Sequence, residues 1–266
     1  MYNFEEINIT DKRKVYHVGC RLAEGEDAIQ NEIHEGIVNV NNRIREFSKR
    51  VRGGEHKGAT GKQLKNILAI GIGGSYLGPE FLHEALLLQP SHMSLKFLSN
   101  VDPVDFMRTT RDLDPSETLA VIVSKSFTTP ETMMNADRVR KWLIAGMSEQ
   151  TEETIVAQHM VACSTALNLT SAFGISDENT FGFWDWIGGR FSGSGAPGLV
   201  PLYLKYGEIM DEYLRGARTM DVHYRDNANP ENWRQCLPIL MGLVGILNID
   251  GHGHTSRSIA PYSQSL

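Results

Sequence analysis

Residues 66–78 read Asn-Ile-Leu-Ala-Ile-Gly-Ile-Gly-Gly-Ser-Tyr-Leu-Gly: an apolar run, a glycine loop, and then the start of a helical stretch. Similar runs recur at Leu95-Lys-Phe-Leu98, Leu119-Ala-Val-Ile-Val123 and His159-Met-Val-Ala-Cys163, with helical segments between them. Nearly unbroken apolarity means that both faces of such strands are covered, which predicts a parallel sheet in an α/β layer fold. The periodicity predicts helices over 28–51, ending near Gly53-Gly54, over 79–88 with Pro79 near the first turn, and over 132–147. From Ala196 onward the pattern is helical, with segments near 198–206, 208–224 and 236–248 and a polar break at Asp226-Asn-Ala-Asn-Pro230. The run Leu237–Ile249 is shorter than the roughly 20 residues of a membrane span and is expected to be a buried helix.

Composition sets the outer limits. The 266 residues are 41% hydrophobic and 22% charged, as in an ordinary globular protein, with a net charge of −6. That balance argues against a nucleic-acid or acidic-membrane partner, since such proteins present a basic face. Cys20, Cys163 and Cys236 form no CxxC pair, so neither a zinc site nor a disulfide framework is expected, and a reducing cytosol fits. The N-terminal MYNFEEINITDKRK lacks the apolar core of a signal peptide.

Three loops carry candidate chemistry. Gly71–Gly78 sits between a strand and a helix, where glycines allow close backbone approach and a helix N-terminus can face an anion. A dinucleotide fingerprint starting at Gly71 would need glycine where Tyr76 stands, and a P-loop ending at Gly61-Lys62 would need glycine at His56. The loop is equally readable as a tight strand–helix turn. Ser124-Lys-Ser-Phe-Thr-Thr-Pro-Glu-Thr132 is more pointed: Ser124, Ser126, Thr128 and Thr129 offer hydroxyls and Lys125 a charge, matching the acceptor oxygens of a phosphate. The competing reading is an N-cap, Thr129 with Thr132 or Thr128 with Glu131. In Phe183-Trp-Asp-Trp-Ile-Gly-Gly-Arg-Phe-Ser192 the aromatics read as core. Gly188-Gly189 would let Arg190 present a cationic fork to an oxyanion, unless an Arg190–Asp185 ion pair occupies it. His252-Gly-His254, two histidines two apart with no nearby acidic triad, reads as an exposed polar turn rather than a metal site.

Taken in order, these stretches resemble the glucose-6-phosphate isomerase (phosphoglucose isomerase) family: IGIGGSYLGP is similar to I-G-I-G-G-S-x-L-G-P, SKSFTTPET to S-K-T-F-T-T-x-E-T, and FWDWIGGRFS to F-W-D-W-V-G-G-R-[FY]-S. The similarity runs from INITDKRKVYHV to IAPYSQ near the C-terminus. The resemblance implies a sugar isomerase (SIS), flavodoxin-like fold, an α-β-α sandwich on a five-stranded parallel sheet. It implies interconversion of glucose 6-phosphate and fructose 6-phosphate in glycolysis and gluconeogenesis, by a cytosolic homodimer without metal or cofactor. Carried over residue by residue, Ser124, Lys125, Ser126 and Thr129 would hold the phosphate with Thr128 beside them, Gly74 and Ser75 would border it, and Gly189 and Arg190 would face the reacting carbons.

The sequence also departs from that pattern. The family's E-S-N-G-K base motif, its G-Q-H-type histidine motif and its C-terminal lysine are not present, so a fragment holding the phosphate-binding half of the site is expected, inactive or nearly so alone for want of a base. Its expected organisation is an N-terminal strand or arm over 1–34, a first SIS domain over 35–225, and over 226–266 a connecting helix and the start of an incomplete second domain. Ser126 stands where threonine is usual, Pro130 where glutamine is common, Tyr76 where aspartate is frequent, and Gly193 and Pro197 where larger or nonproline residues are the rule. A noncatalytic phosphosugar-binding module is the alternative.

Overall fold

The computed structural model describes residues 3–22 and 31–263. The chain divides between Met210 and Asp211 into two compact units. The first is built on five parallel strands, β1 (Asn66–Ile70), β2 (Ser94–Leu98), β3 (Thr118–Val123), β4 (Met160–Cys163) and β5 (Thr180–Phe181), in the order β2-β1-β3-β4-β5. Its helices are α1 (Asn31–Arg52), α2 (Gly74–Ala85), α3 (Pro103–Thr110), α4 (Pro130–Gly146), α5 (Glu152–His159), α6 (Leu167–Ala172) and α7 (Ala196–Tyr206).

Alternation along the strands explains the layers. Leu68, Ile70, Ala120, Ile122, Met160 and Ala162 form one core with Ala136, Val139 and Leu143 of α4 and Ile155 and Val156 of α5. The intervening strand residues, among them Ile67, Leu119, Val121 and Val161, are also fully buried, and α7 packs against β1 through β4 with α1 on top of it. Both sheet faces are therefore covered, giving the expected α/β sandwich on a five-stranded parallel sheet. α1 buries Ile37, Ile44, Phe47 and Val51, one stripe of a helix whose other face carries Lys49 and Arg50.

Several elements differ from the sequence expectation. α2 begins at Gly74 rather than near Pro79, because Gly73, at φ 60°, turns the chain directly from strand into helix and leaves Pro79 inside it. The expected helix over 28–51 starts, as described, at Asn31; residues 28–30 lie outside the described residues. His159 closes α5 instead of opening β4. The two-residue β5 and the short α3, α5 and α6 are too brief for periodicity to reveal. In the N-terminal region, the described residues hold an isolated Asn8–Arg13 bridge and a 3₁₀ turn at His17–Arg21 rather than a strand. The boundaries expected at 34/35 and 225/226 fall inside helices, α1 and α8 (Ile209–Asn227) respectively.

The second unit contains most of α8, then α9 (Leu237–Ile246), which continues into a π-helical turn at Leu247–Gly251. The buried helix expected over 237–249 is a correction: no residue of α9 is buried, and Met241, Val244 and Ile249 are more than half exposed. Apolar content alone does not specify which element covers a helix.

Candidate functional site at the switch point of the sheet

The order β2-β1-β3-β4-β5 reverses direction between β1 and β3, and in open parallel sheets that reversal leaves a crevice outside the carboxyl ends of the strands. The glycine loop follows β1 and the hydroxyl loop follows β3, so the two face each other across it. The pairing ends at Ile70 opposite Ile122. A side chain on Gly71 would lie 3.1 Å from the Ser75 Cβ and 3.4 Å from the Val123 Cβ, so glycine keeps this approach close.

The hydroxyl loop departs from one of its two sequence readings, the cap formed by Thr129. Thr129 is the N-cap residue of α4, yet its side chain makes no capping hydrogen bond. The hydroxyls instead pair with one another, Ser124 Oγ with Thr129 Oγ1 at 3.2 Å and Ser126 Oγ with Thr128 Oγ1 at 2.7 Å. Ser126 and Thr128 are exposed, and Ser124 is buried. Phe127, between them, has φ 53°, a left-handed conformation that is costly for an aromatic residue. Its ring repays this by entering the core, 4% exposed and edge-on to Phe173 with centroids 5.7 Å apart. The buried phenyl thus turns the flanking hydroxyls outward beside the first-turn N–H groups of α4, which lack intrahelical acceptors. Pro130 occupies that first turn, where its missing N–H costs nothing.

The glycine loop differs. The amides of Ser75, Tyr76 and Leu77 donate to the carbonyls of Ile72, Gly73 and Gly73, at 3.2, 3.0 and 2.8 Å, so its donors are largely spent on the turn itself. Its second role is contact. A side chain on Gly74 would meet the Gly189 carbonyl carbon at 2.1 Å, and Ser192 Oγ donates within reach of both Gly74 O (3.1 Å) and Gly189 O (2.7 Å). Gly198 permits the next step, since a side chain there, in α7, would meet the Gly193 carbonyl oxygen at 2.4 Å. The segment entering α7 is therefore a run of glycine-mediated contacts, with Pro197 in the helix's first turn. Ser192, the residue that clasps the two loops, went unread in the sequence although it lies within the FWDWIGGRFS motif.

Tyr76 Oη donates to Glu80 Oε1 at 2.5 Å, and burial, followed by that carboxylate, pushes the phenol up to about 12.

Arg190 and Gly189 are exposed, and among the described residues Arg190 forms no pair with Asp185. Asp185 faces Lys125 instead, at 3.7 Å. The Lys125 ammonium donates to Ile187 O at 3.2 Å and lies 5.6 Å from the centre of the Phe183 ring. Burial lowers the pKa of Lys125, with Asp185 opposing the shift. Phe183 and Trp186 are buried as expected, and Trp184 stacks on Trp186 with centroids 5.1 Å apart. Phe191 is a correction: it is 48% exposed and stacks on His17 rather than lying in the core. The loops after the adjacent strands β1 and β3 thus carry Gly74 and Ser75 on one side and Ser124, Lys125, Ser126, Thr128 and Thr129 on the other, with Gly189 held against Gly74 and Arg190 next in the chain.

The phosphoglucose isomerase family model matches residues 1–266. The chain belongs to the phosphoglucose isomerase family. It is 43% identical over 280 residues to a protein named cytosolic glucose-6-phosphate isomerase of Arabidopsis lyrata subsp. petraea, covering all of this chain and 48% of that protein. Over 277 residues it is 43% identical to the cytosolic glucose-6-phosphate isomerase of Zea mays, covering 47% of it. Its fold superposes with a TM-score of 0.81 and 29% identity on a crystal structure of a glucose-6-phosphate isomerase from Chlamydia trachomatis, over 96% of this chain and 46% of that one. The chain therefore spans about half the length of the relatives it matches. Among the described residues no helix is long and apolar enough to cross a membrane, and no cluster of three or more His, Cys, Asp or Glu could hold a metal ion.

Proposed function

We propose that this chain supplies the phosphate-gripping half of an aldose–ketose isomerase site for glucose 6-phosphate and fructose 6-phosphate. The observation that carries the reading is the hydroxyl loop: four side-chain hydroxyls at the switch point, with the N-cap hydroxyl of Thr129 making no capping bond to α4. A phosphate seated there would exchange the neutral pairs Ser124–Thr129 and Ser126–Thr128 for charge-assisted hydrogen bonds, which are stronger. The backbone of Lys125 and the first turn of α4 would add amide donors. Gly74 and Ser75 would border the phosphate on the other side.

Moving a carbonyl between C1 and C2 needs a base for the C2 proton, stabilisation of the enediolate that follows, and delivery of a proton to C1. Arg190, exposed and held near the crevice by the Gly74–Gly189 contact, suits the second task, because a guanidinium carries a permanent charge and a planar set of donors. The phosphate grip serves the chemistry indirectly: fixing the end of the substrate that does not react limits where C1 and C2 can lie. The base is not assigned, since the E-S-N-G-K motif does not occur in these 266 residues. We place the activity in the cytosol, in line with relatives named cytosolic and with three buried free cysteines, and the functional unit is read as a homodimer from the family resemblance.

Calorimetric titration of this chain with fructose 6-phosphate tests the grip, and saturable binding is expected. Absence of affinity for any sugar phosphate overturns the reading. A coupled assay of isomerisation should show little turnover; robust turnover would require a base within the chain, such as Glu131 or Glu178. Binding without turnover, even when the chain is joined to a segment carrying the glutamate motif, would favour the alternative of a noncatalytic phosphosugar-binding module.

A further inference from the structure

Lys125 is the charged member of the hydroxyl loop, and its side chain is already engaged. Its ammonium donates to Ile187 O at 3.2 Å, faces Asp185 at 3.7 Å and lies over Phe183 at 5.6 Å, three contacts within the segment that leads to Gly188-Gly189-Arg190. Its backbone is fixed independently: Lys125 O accepts from Thr165 N at 3.1 Å, Ser164 Oγ at 3.0 Å and Thr165 Oγ1 at 2.9 Å. One residue thus joins the loops that follow β3, β4 and β5. We infer that Lys125 is a positioning residue, whose ammonium holds the 183–191 segment and so places Gly189 and Arg190, rather than a direct ligand of the phosphate.

The contacts are unequal. Asp185 is 72% exposed, so its attraction for the ammonium is weakened by water and salt, whereas the Ile187 carbonyl is buried and its bond is directional. Ile187 immediately precedes Gly188-Gly189, the part of the chain freest to adopt other backbone conformations, and a hydrogen bond at that point removes the freedom where it matters. Lowering of the Lys125 pKa by burial agrees with a cation already drawn away from bulk water. The role assigned to Lys125 rests on the phosphosugar reading, but the clamp itself does not depend on any ligand.

The test compares the wild-type chain with Lys125→Met, which keeps the apolar stem over Phe183 and removes the charge, and with Lys125→Arg, which restores a cation. Amide hydrogen exchange over residues 184–192 is read alongside calorimetric binding of inorganic phosphate, and exchange over β3, residues 118–123, reports that the variants remain folded. In Lys125→Met, exchange over 184–192 is expected to accelerate by about tenfold or more. Phosphate affinity should change by less than about threefold, as for a charge acting through the field alone. Lys125→Arg should recover most of the protection. Unchanged exchange over 184–192 overturns the inference, and so does a loss of phosphate affinity beyond about tenfold, which marks a direct charged ligand. Failure of the wild-type chain to bind phosphate or any sugar phosphate would instead overturn the phosphosugar reading, while the exchange measurement would still decide the clamp.

Discussion

At the N-terminal ends of the strands, His56, Lys62 and Lys65 bond to neighbouring segments and His159 accepts from residue 59, whereas the loops at the C-terminal ends keep several of their polar groups toward solvent. In the first region His159, fully buried, places Nδ1 2.7 Å from Thr118 O and accepts the Ala59 amide on Nε2 at 2.8 Å. Lys62 bonds Asp114 and Ser116, and Lys65 bonds Glu117. In the second region the exposed hydroxyls of Ser126 and Thr128 have only each other, and Arg190 projects without an ion pair among the described residues. Polar groups that the fold satisfies are structural, and those it positions but leaves available are candidates for a ligand.

The contrast can be broken by substitution. The largest effect is expected from Gly58→Ala in the first region, where a Cβ would lie 2.7 Å from both the His159 ring and the Ser116 carbonyl oxygen. Urea denaturation should show a loss of about 1–3 kcal/mol or more, with phosphate affinity of the folded protein retained. The double variant Ser124→Ala/Thr129→Ala should do the reverse: a stability change of about 1 kcal/mol or less, but phosphate binding weakened about tenfold or more by calorimetry. Equal effects on stability and binding in both variants would erase the distinction between the two ends.

Acid should act on the first region before the second. Burial is the leading cause holding His56 and His159 below the usual imidazole pKa of 6.5, so both stay neutral in the fold while the unfolded chain takes up protons more readily. Their contribution to stability is complete above that value and declines as pH falls through it toward the folded values. A proton on His159 Nε2 would also set two N–H groups against each other at Ala59. Hydrogen exchange over 56–62 should therefore accelerate between about pH 7.5 and 5.5, relative to that over α4. The smallest effect is assigned to Asp185→Asn, because an exposed ion pair at 3.7 Å contributes about 0–1 kcal/mol, so thermal stability should barely move.

Much of this arrangement was legible before any coordinates. Four of the five strands announced themselves as apolar runs, most clearly β3 and β4, because a strand covered on both faces has few polar positions to disguise it. The hydroxyl loop was legible as a donor cluster, but whether Thr129 caps α4 depends on a side-chain torsion that residue identity does not set. Lys125 was readable as a charge, not as a charge turned toward Ile187, since that partner lies on a strand-distant loop. The start of α2 was obscured by glycines that usually end helices, and the exposure of α9 by the fact that an apolar stretch names no neighbour.

Phe127 links the two scales of the molecule. Its ring belongs to the same core as Ala136, Leu143 and Ile155, while its backbone sets the angle at which Ser126 and Thr128 face outward. The crevice is in this sense tuned from beneath, like a string whose pitch is set at the peg. On the proposed phosphate reading, a change at Phe173, against which that ring rests, would alter affinity without any atom of residue 173 meeting the ligand.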